Sequence, residues 1–450
     1  MNASKRNKLI RIFILLCGSI LTVSSTLFYY GTVYQDDPTH SDVPFQRGMS
    51  FTTWGSCSFD SSEARHEVLE MKETGIEWVA VNVWWFQENL TSTEIYPGTW
   101  TDDPDNLVSF FEYIHSQGMK VLFKPMLDSE DRMWRSNIEA SPEWLAEYAE
   151  FVKYTARIAE DGATEIFSIG CEMGNWQVHT EEVVSVIQDV RSIYSGKLTY
   201  AANHDTFWYI DWWDDVDIIG LDAYFPFTLS YDPSLEDMVQ VWNGFHDDLE
   251  AFQRKWDRPV LFAEIGCQNR DGCNIAPNDN KFNLEQDELE FRMFYQSLFE
   301  SKLWTAPWFK GAYWWIWDCR TINELTDNGF TPQLPIIKST LHEYYSTPKQ
   351  DASPNHWLVV IFLLLLGGLL TFVSQHLLAR LPSEGEGEKY EAEAESKSLE
   401  AETSRPASSS IKDSQALRYY VRISGVLLGT FLSWGFTYYN HAVFNVLYSA

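Results

Sequence analysis

The chain has 450 residues, enough for one large domain or two to three small ones, and its 45% hydrophobic content can bury a sizeable core. A net charge of −31 argues against nucleic acid, whose protein partners usually carry a basic patch, and against a polyanionic substrate; a neutral one meets no such objection. The 20 Trp and 22 Tyr suit either a bulky core or the apolar faces of sugar rings.

Lys5, Arg6, Lys8 and Arg11 precede an uncharged run over 12–30, which reads as a signal peptide or a signal anchor within residues 1–31. Either way the charge bias exports the chain beyond it. Alternating elements then fill 45–346. Strands are expected at 48–54, 77–85, 120–124, 165–170, 198–203, 216–224, 259–265 and 311–317. Helices are expected at 62–74, 107–117, 142–161, 181–194, 235–256, 284–301 and 335–345, several of them stopped by a glycine such as Gly75, Gly118 or Gly162. Eight strands alternating with helices over about 300 residues fit a closed (β/α)8 TIM barrel. The runner-up, an open doubly wound sheet, would normally show a glycine-rich phosphate loop after its first strand, and there is none.

Two further apolar stretches, 357–379 and 423–448, read as transmembrane helices around an acidic, Ser-rich, disordered loop at 382–412. Arg380, Arg418 and Arg422 mark the loop as cytoplasmic, so the membrane is an expected partner and the barrel lies on the extracellular or luminal side. The exported part holds five cysteines, so at least one is unpaired. Cys267 and Cys273 could close a small disulfide; Cys57 and Cys319 would meet only if the first and last strands are neighbours. Asn89-Leu90-Thr91 is a glycosylation triplet.

In such barrels function sits at the C-terminal strand ends. Those ends hold Trp54, Trp84 and Trp85, Lys124 and Asp128, Cys171 and Glu172, Asn203 and His204, Asp222 and Tyr224, Glu264, and Trp314, Trp315 and Trp317. No His, Cys and Asp cluster has metal spacing and no Ser lies in a nucleophile elbow, so no metal or cofactor is implied. Glu172 closes the run IFSIGC and Glu264 lies within LFAEIG; a carboxylate there is costly unless it faces a polar cavity. Strands four and seven face each other across an eight-strand ring, so the two carboxyls can approach a bound sugar from opposite sides.

The motifs RGMSF at 47–51, WW at 84–85, FKPML at 123–127, SIGCE at 168–172, GLDAYFP at 220–226, FAEIG at 262–266 and WWIWD at 314–318 resemble, in order and placement, the clan A barrel glycosidases, and most of all the β-mannanases of glycoside hydrolase family 113. The resemblance covers roughly residues 45–345. It implies Glu172 as general acid/base and Glu264 as nucleophile of a retaining β-glycosidase, most nearly an endo-β-1,4-mannanase acting on a neutral oligo- or polysaccharide. It implies Tyr224 as a hydrogen-bond donor to the nucleophile and Trp314 or Trp315 as the sugar platform, since alternate strand residues face opposite ways. Lys124, Asn203 and His204 are candidates for hydroxyl contacts, and Trp54, Trp84 and Trp85 complete the binding set. One departure stands out: many clan A enzymes carry Asn before the acid/base, where it binds the sugar 2-hydroxyl, and here Cys171 takes its place. That contact then falls to another residue such as Asn203, and Cys171 is the expected unpaired cysteine. A transglycosylase on the same scaffold, a non-catalytic glycan-binding barrel, and a membrane scaffold acting through its acidic loop are the alternatives.

Overall fold

The structure is a computed structural model that describes residues 40, 42–280, 285–320 and 327–347. The expected signal or anchor segment, both C-terminal apolar stretches and the acidic loop lie outside the described residues. Among the described residues no helix is long and apolar enough to cross a membrane.

Eight parallel strands close on themselves: β1 (Gln46–Thr52), β2 (Trp78–Gln87), β3 (Lys120–Ser129), β4 (Ile166–Cys171), β5 (Lys197–Asn203), β6 (Ile218–Asp222), β7 (Val260–Ile265) and β8 (Phe309–Asp318). Each pairs with the next and β8 pairs with β1, which makes the sheet a barrel. A two-residue strand, Tyr96–Pro97, adds antiparallel to the outer end of β2. The long helices are α1 (Ser62–Glu73), α2 (Pro104–Ser116), α3 (Pro142–Asp161), α4 (Thr180–Arg191), α5 (Leu235–Trp256), α6 (Glu288–Phe299) and, after the single turn α7 (Lys302–Thr305), α8 (Pro335–Tyr345).

Local chemistry explains where the helices begin. Ser61, Ser141 and Ser234 each accept a backbone N–H of the first turn, and at Ser234 the Asp237 carboxylate returns the bond in a capping box. Pro104 and Pro142 start α2 and α3, where their missing N–H has no partner to lose. At the barrel's closing seam Gly311 has φ +112°, and a Cβ there would stand 2.0 Å from the Gln46 carbonyl oxygen. Only glycine lets β8 approach β1 so closely.

Strand β3 outruns its expected end at Lys124 and pairs with β2 as far as Ser129. Pro125 does not stop it, because the ring is sterically allowed in extended backbone and costs only one ladder donor. The extension carries Asp128 to the rim. The disulfide Cys57–Cys319 joins the loop after β1 to the end of β8, which the β1–β8 neighbourhood makes possible. Cys171, Cys267 and Cys273 are free and buried, so the small disulfide envisaged between Cys267 and Cys273 is not closed, although their sulfurs lie 2.9 Å apart.

The barrel interior is layered. Val43, Trp78, Ala80, Leu122, Ile166, Ile218, Leu261 and Tyr313 plug the bottom. Near the top Trp84, Met126, Cys171, Ala201, Ala263 and Ile316 pack with Trp54, Phe86 and Trp315. The remaining apolar residues bind barrel to helices.

Candidate active site

Strict alternation aims Trp84, Lys124 and Trp315 inward, but not Cys171 and Glu264; bulges do that. Between β4 and β5 the register runs from Ser168↔Thr199 to Cys171↔Ala201, three residues against two. Between β6 and β7 it runs from Leu221↔Phe262 to Asp222↔Glu264, one against two. Between β1 and β8 it runs from Met49↔Trp314 to Phe51↔Trp317, two against three. An extra residue re-aims every side chain after it. Cys171 and Glu264 are thereby turned to the barrel axis, and Trp315 and Ile316 both join the interior.

Trp314 ends on the other side. Its indole stacks on Tyr295 at 4.0 Å between centroids and its Nε1 donates to Tyr345 Oη at 3.0 Å, buried under the helices. Trp85 likewise packs outward, against Phe151 and Tyr154. Both are corrections to the expected binding set: odd and even strand positions face opposite layers, and these two face the helices. Trp54, Trp84 and Trp315 do come together, with Trp54 and Trp84 at 4.7 Å and Trp315 at 6.4 and 6.3 Å from them.

Glu264 is almost wholly buried and held from two sides. The Lys124 ammonium, fully buried, forms an ion pair with its Oε1, and the Tyr224 hydroxyl donates to its Oε2 at 2.8 Å. Burial opposes the charge on Lys124, but the Glu264 carboxylate, with Cys171 and Asp222, holds the lysine pKa above its usual range. Lys124 also lies 5.2 Å from the centre of the Trp315 ring. Lys124 is thus a partner of the nucleophile candidate rather than a free hydroxyl-binding group. Burial, reinforced by Glu264, pushes the Tyr224 phenol well up, so it remains a donor.

Glu172 follows β4 with φ +54°, a left-handed conformation that costs a residue with a Cβ about 1–2 kcal/mol. Its own N–H is anchored on the Ala201 carbonyl at 2.8 Å. Asn203 Nδ2 donates to its Oε1 at 2.9 Å, so the Asn203 amide orients this carboxyl. Burial pushes Glu172 up to about 7; the Arg135 guanidinium pulls the other way and Glu264 adds to the rise. His204, at the end of β5, packs edge-on to Phe225 with its centroid 5.5 Å away. Burial draws its pKa down against the pull of Asp205, and its Nδ1 has no protein partner.

Beneath the two glutamates lie Cys171 and Asp222. The Cys171 thiol is 3.3 Å from Asp222 Oδ2 and 3.8 Å from Glu264 Oε1. Burial pushes both Cys171 and Asp222 well up, toward their neutral forms. Ligand atoms of Cys171, Asp222 and Glu264 lie within 4.8 Å of one another, close enough to hold a cation, and the ammonium of Lys124 is the cation beside them.

Arg135 escaped the sequence reading. It lies in the loop after β3, where no periodicity marks it, and only its sequence neighbour Trp134 hints at a binding surface. Its Nη1 reaches Cys171 Sγ at 3.4 Å, and its Nε and Nη2 fork onto Asp128 at 2.8 and 3.2 Å. Asp128 in turn accepts Trp84 Nε1 at 2.9 Å.

Two buried carboxyls on β4 and β7, one ion-paired and one held toward its acid form, with indoles beside them, are what glycoside cleavage requires. The sequence pattern described as Glycoside Hydrolase Family 113 matches residues 49–330. The chain belongs to glycoside hydrolase family 113. Among solved structures it is similar to one described as the GH113 beta-mannanase AaManA from Alicyclobacillus acidocaldarius in complex with ManMIm. The two are 26% identical with a TM-score of 0.62, over 68% of this chain and 98% of that one. It is also similar to a structure described as a complex of a GH113 beta-1,4-mannanase, at 26% identity and a TM-score of 0.60, over 68% of this chain and all of that one. No curated protein sequence matches it. Family membership makes the chain a glycoside hydrolase with a (β/α)8 barrel.

Proposed function

We propose that this glycoside hydrolase is a retaining endo-β-1,4-mannanase working by double displacement. The observation that carries the reading is the unequal state of the two glutamates. Glu264 is ion-paired with Lys124 and hydrogen-bonded by Tyr224, as a nucleophile needs, while burial holds Glu172 protonated up to about pH 7, as an acid needs.

In the first step the Glu264 carboxylate attacks the anomeric carbon as the glycosidic C–O bond breaks, and the Glu172 proton passes to the departing oxygen. Glu172 is then a carboxylate, and the nearby Arg135 guanidinium favours that form. In the second step Glu172 takes a proton from water, which attacks the same carbon and releases Glu264. Such a mechanism wants the carboxyls about 5–5.5 Å apart. The charge of Glu264 adds to the rise in the Glu172 pKa, which supports the two carboxyls lying within electrostatic reach of each other. Mannan as substrate is supported by the likeness to the two GH113 β-mannanases.

The test is a glycan panel on the full-length chain, with Glu172→Gln and Glu264→Gln as controls and the anomeric configuration of the first product read by NMR. Release of β-anomers from β-mannan, lost in both variants, is expected. Release of α-anomers would remove the retaining mechanism, and turnover of another β-glycan in place of mannan would remove the substrate.

We further propose that the barrel is membrane-tethered on the extracytoplasmic side. The apolar stretches at 12–30, 357–379 and 423–448 support this, as does Cys57–Cys319, a bond typical of oxidising compartments. Protease treatment of sealed membrane vesicles should spare the barrel; digestion without detergent would refute it.

A further inference from the structure

Beside the catalytic mouth a cleft of about 1210 Å³ runs outward between the segment around Tyr96–Pro97 and the loop after β3. It exceeds the roughly 300–1,000 Å³ of pockets for drug-sized ligands, so it has room for more than one sugar unit. Two indoles stand in it. Trp100 is 36% exposed and touches Trp54 at 5.3 Å, Trp84 at 6.0 Å and Phe86 at 5.8 Å between centroids. Gly98 makes this wall possible, because a Cβ there would stand 2.3 Å from the Phe86 ring. Trp134, across the cleft, is 49% exposed and faces the Arg135 guanidinium at 5.9 Å.

The cleft continues the catalytic site. Trp315, Trp54 and Trp100 form an unbroken run of ring contacts from the mouth outward. Arg135 and Asp128 line the cleft and also reach the site, through Cys171 and Trp84. The charged lining is balanced, with Asp128 and Glu130 facing Arg132 and Arg135. A surface of exposed indoles with matched charges suits a neutral polyhydroxyl chain, whose C–H faces stack and whose hydroxyls find both donors and acceptors.

We propose that this cleft is a distal subsite for the same glycan, binding sugar units beyond those flanking the scissile bond, with Trp134 as its outer platform. The proposal rests on the hydrolase reading above. It makes Trp134 a determinant of chain-length preference.

The test compares wild type, Trp134→Ala and Trp134→Phe in the full-length chain, on β-1,4-linked manno-oligosaccharides of increasing length. Trp134 is half exposed, so its truncation spares the fold. KM for the longest substrate should rise about tenfold in Trp134→Ala, well above any rise for the shortest, and Trp134→Phe should recover most of it. Equal changes at every length, or none, would overturn the subsite and leave the hydrolase reading standing. If wild type cleaved none of these sugars, the mannanase reading would fall by itself. The cleft would then be judged by tryptophan-fluorescence binding of the longest oligosaccharide: weakening by Trp134→Ala supports it, and no binding to wild type overturns it.

Discussion

Glu172→Gln should make the protein more stable in alkaline solution while destroying its activity. The amide keeps the shape of the side chain and the oxygen that accepts from Asn203. What it removes is ionisation in a buried place. The carboxyl rises from an ordinary 4.5 to about 7, and each pKa unit is worth about 1.4 kcal/mol. A raised carboxyl stabilises the fold in full below its unfolded pKa and loses that contribution as pH climbs through the folded value. Glu172 therefore costs wild type about 3 kcal/mol of stability between about pH 4 and pH 8.5, and glutamine abolishes that dependence. Denaturant unfolding of both proteins at those two pH values reads the difference. Wild type should fall behind the variant by about 3 kcal/mol at the higher pH relative to the lower. Activity on unactivated glycans should drop about 10²–10⁴-fold, and the alkaline limb of wild-type kcat/KM should bend near pH 7. Parallel stabilities at the two pH values would refute the reasoning, because the acid would then sit at its ordinary pKa.

Tyr224→Phe deletes a hydrogen bond to a charged carboxylate, worth about 1.5–3 kcal/mol, and should lower kcat/KM by about ten- to a hundredfold with the fold intact by circular dichroism. Trp315→Ala should raise KM for oligosaccharides; Trp314→Ala should instead cost about 3–5 kcal/mol in denaturant unfolding, because its indole is enclosed by Tyr295 and Phe299. Reducing Cys57–Cys319 releases a link across 262 positions and should lower unfolding stability by about 2–4 kcal/mol, read as an earlier denaturant midpoint. Its replacement by a pair of serines should do the same and no more.

The sequence alone was enough for the barrel and for its two glutamates. Apolar runs of strand length alternating with capped, amphipathic helices leave little but a parallel sheet, and eight of them close it. Glu172 and Glu264 betrayed themselves because a carboxylate beside an apolar strand needs a polar cavity to face. These are local properties, written in neighbouring residues. Tertiary structure decided which way the strand-end residues look. Period two alone set Trp314 and Trp315 on opposite faces without saying which was the mouth; packing puts the first under the helices and the second at the mouth, and the extra residue of β8 against β1 lets Ile316 join it there. Bulges likewise turned Cys171 and Glu264 inward, and they arise from pairing between strands, which no single segment encodes. Lys124 looked like a hydroxyl contact and proved to be the counter-ion of Glu264, 140 positions away. Arg135 was invisible for a related reason: Cys171 meets it only once β3 and β4 lie side by side, and it forks onto Asp128 only where the loop after β3 folds back on its own strand.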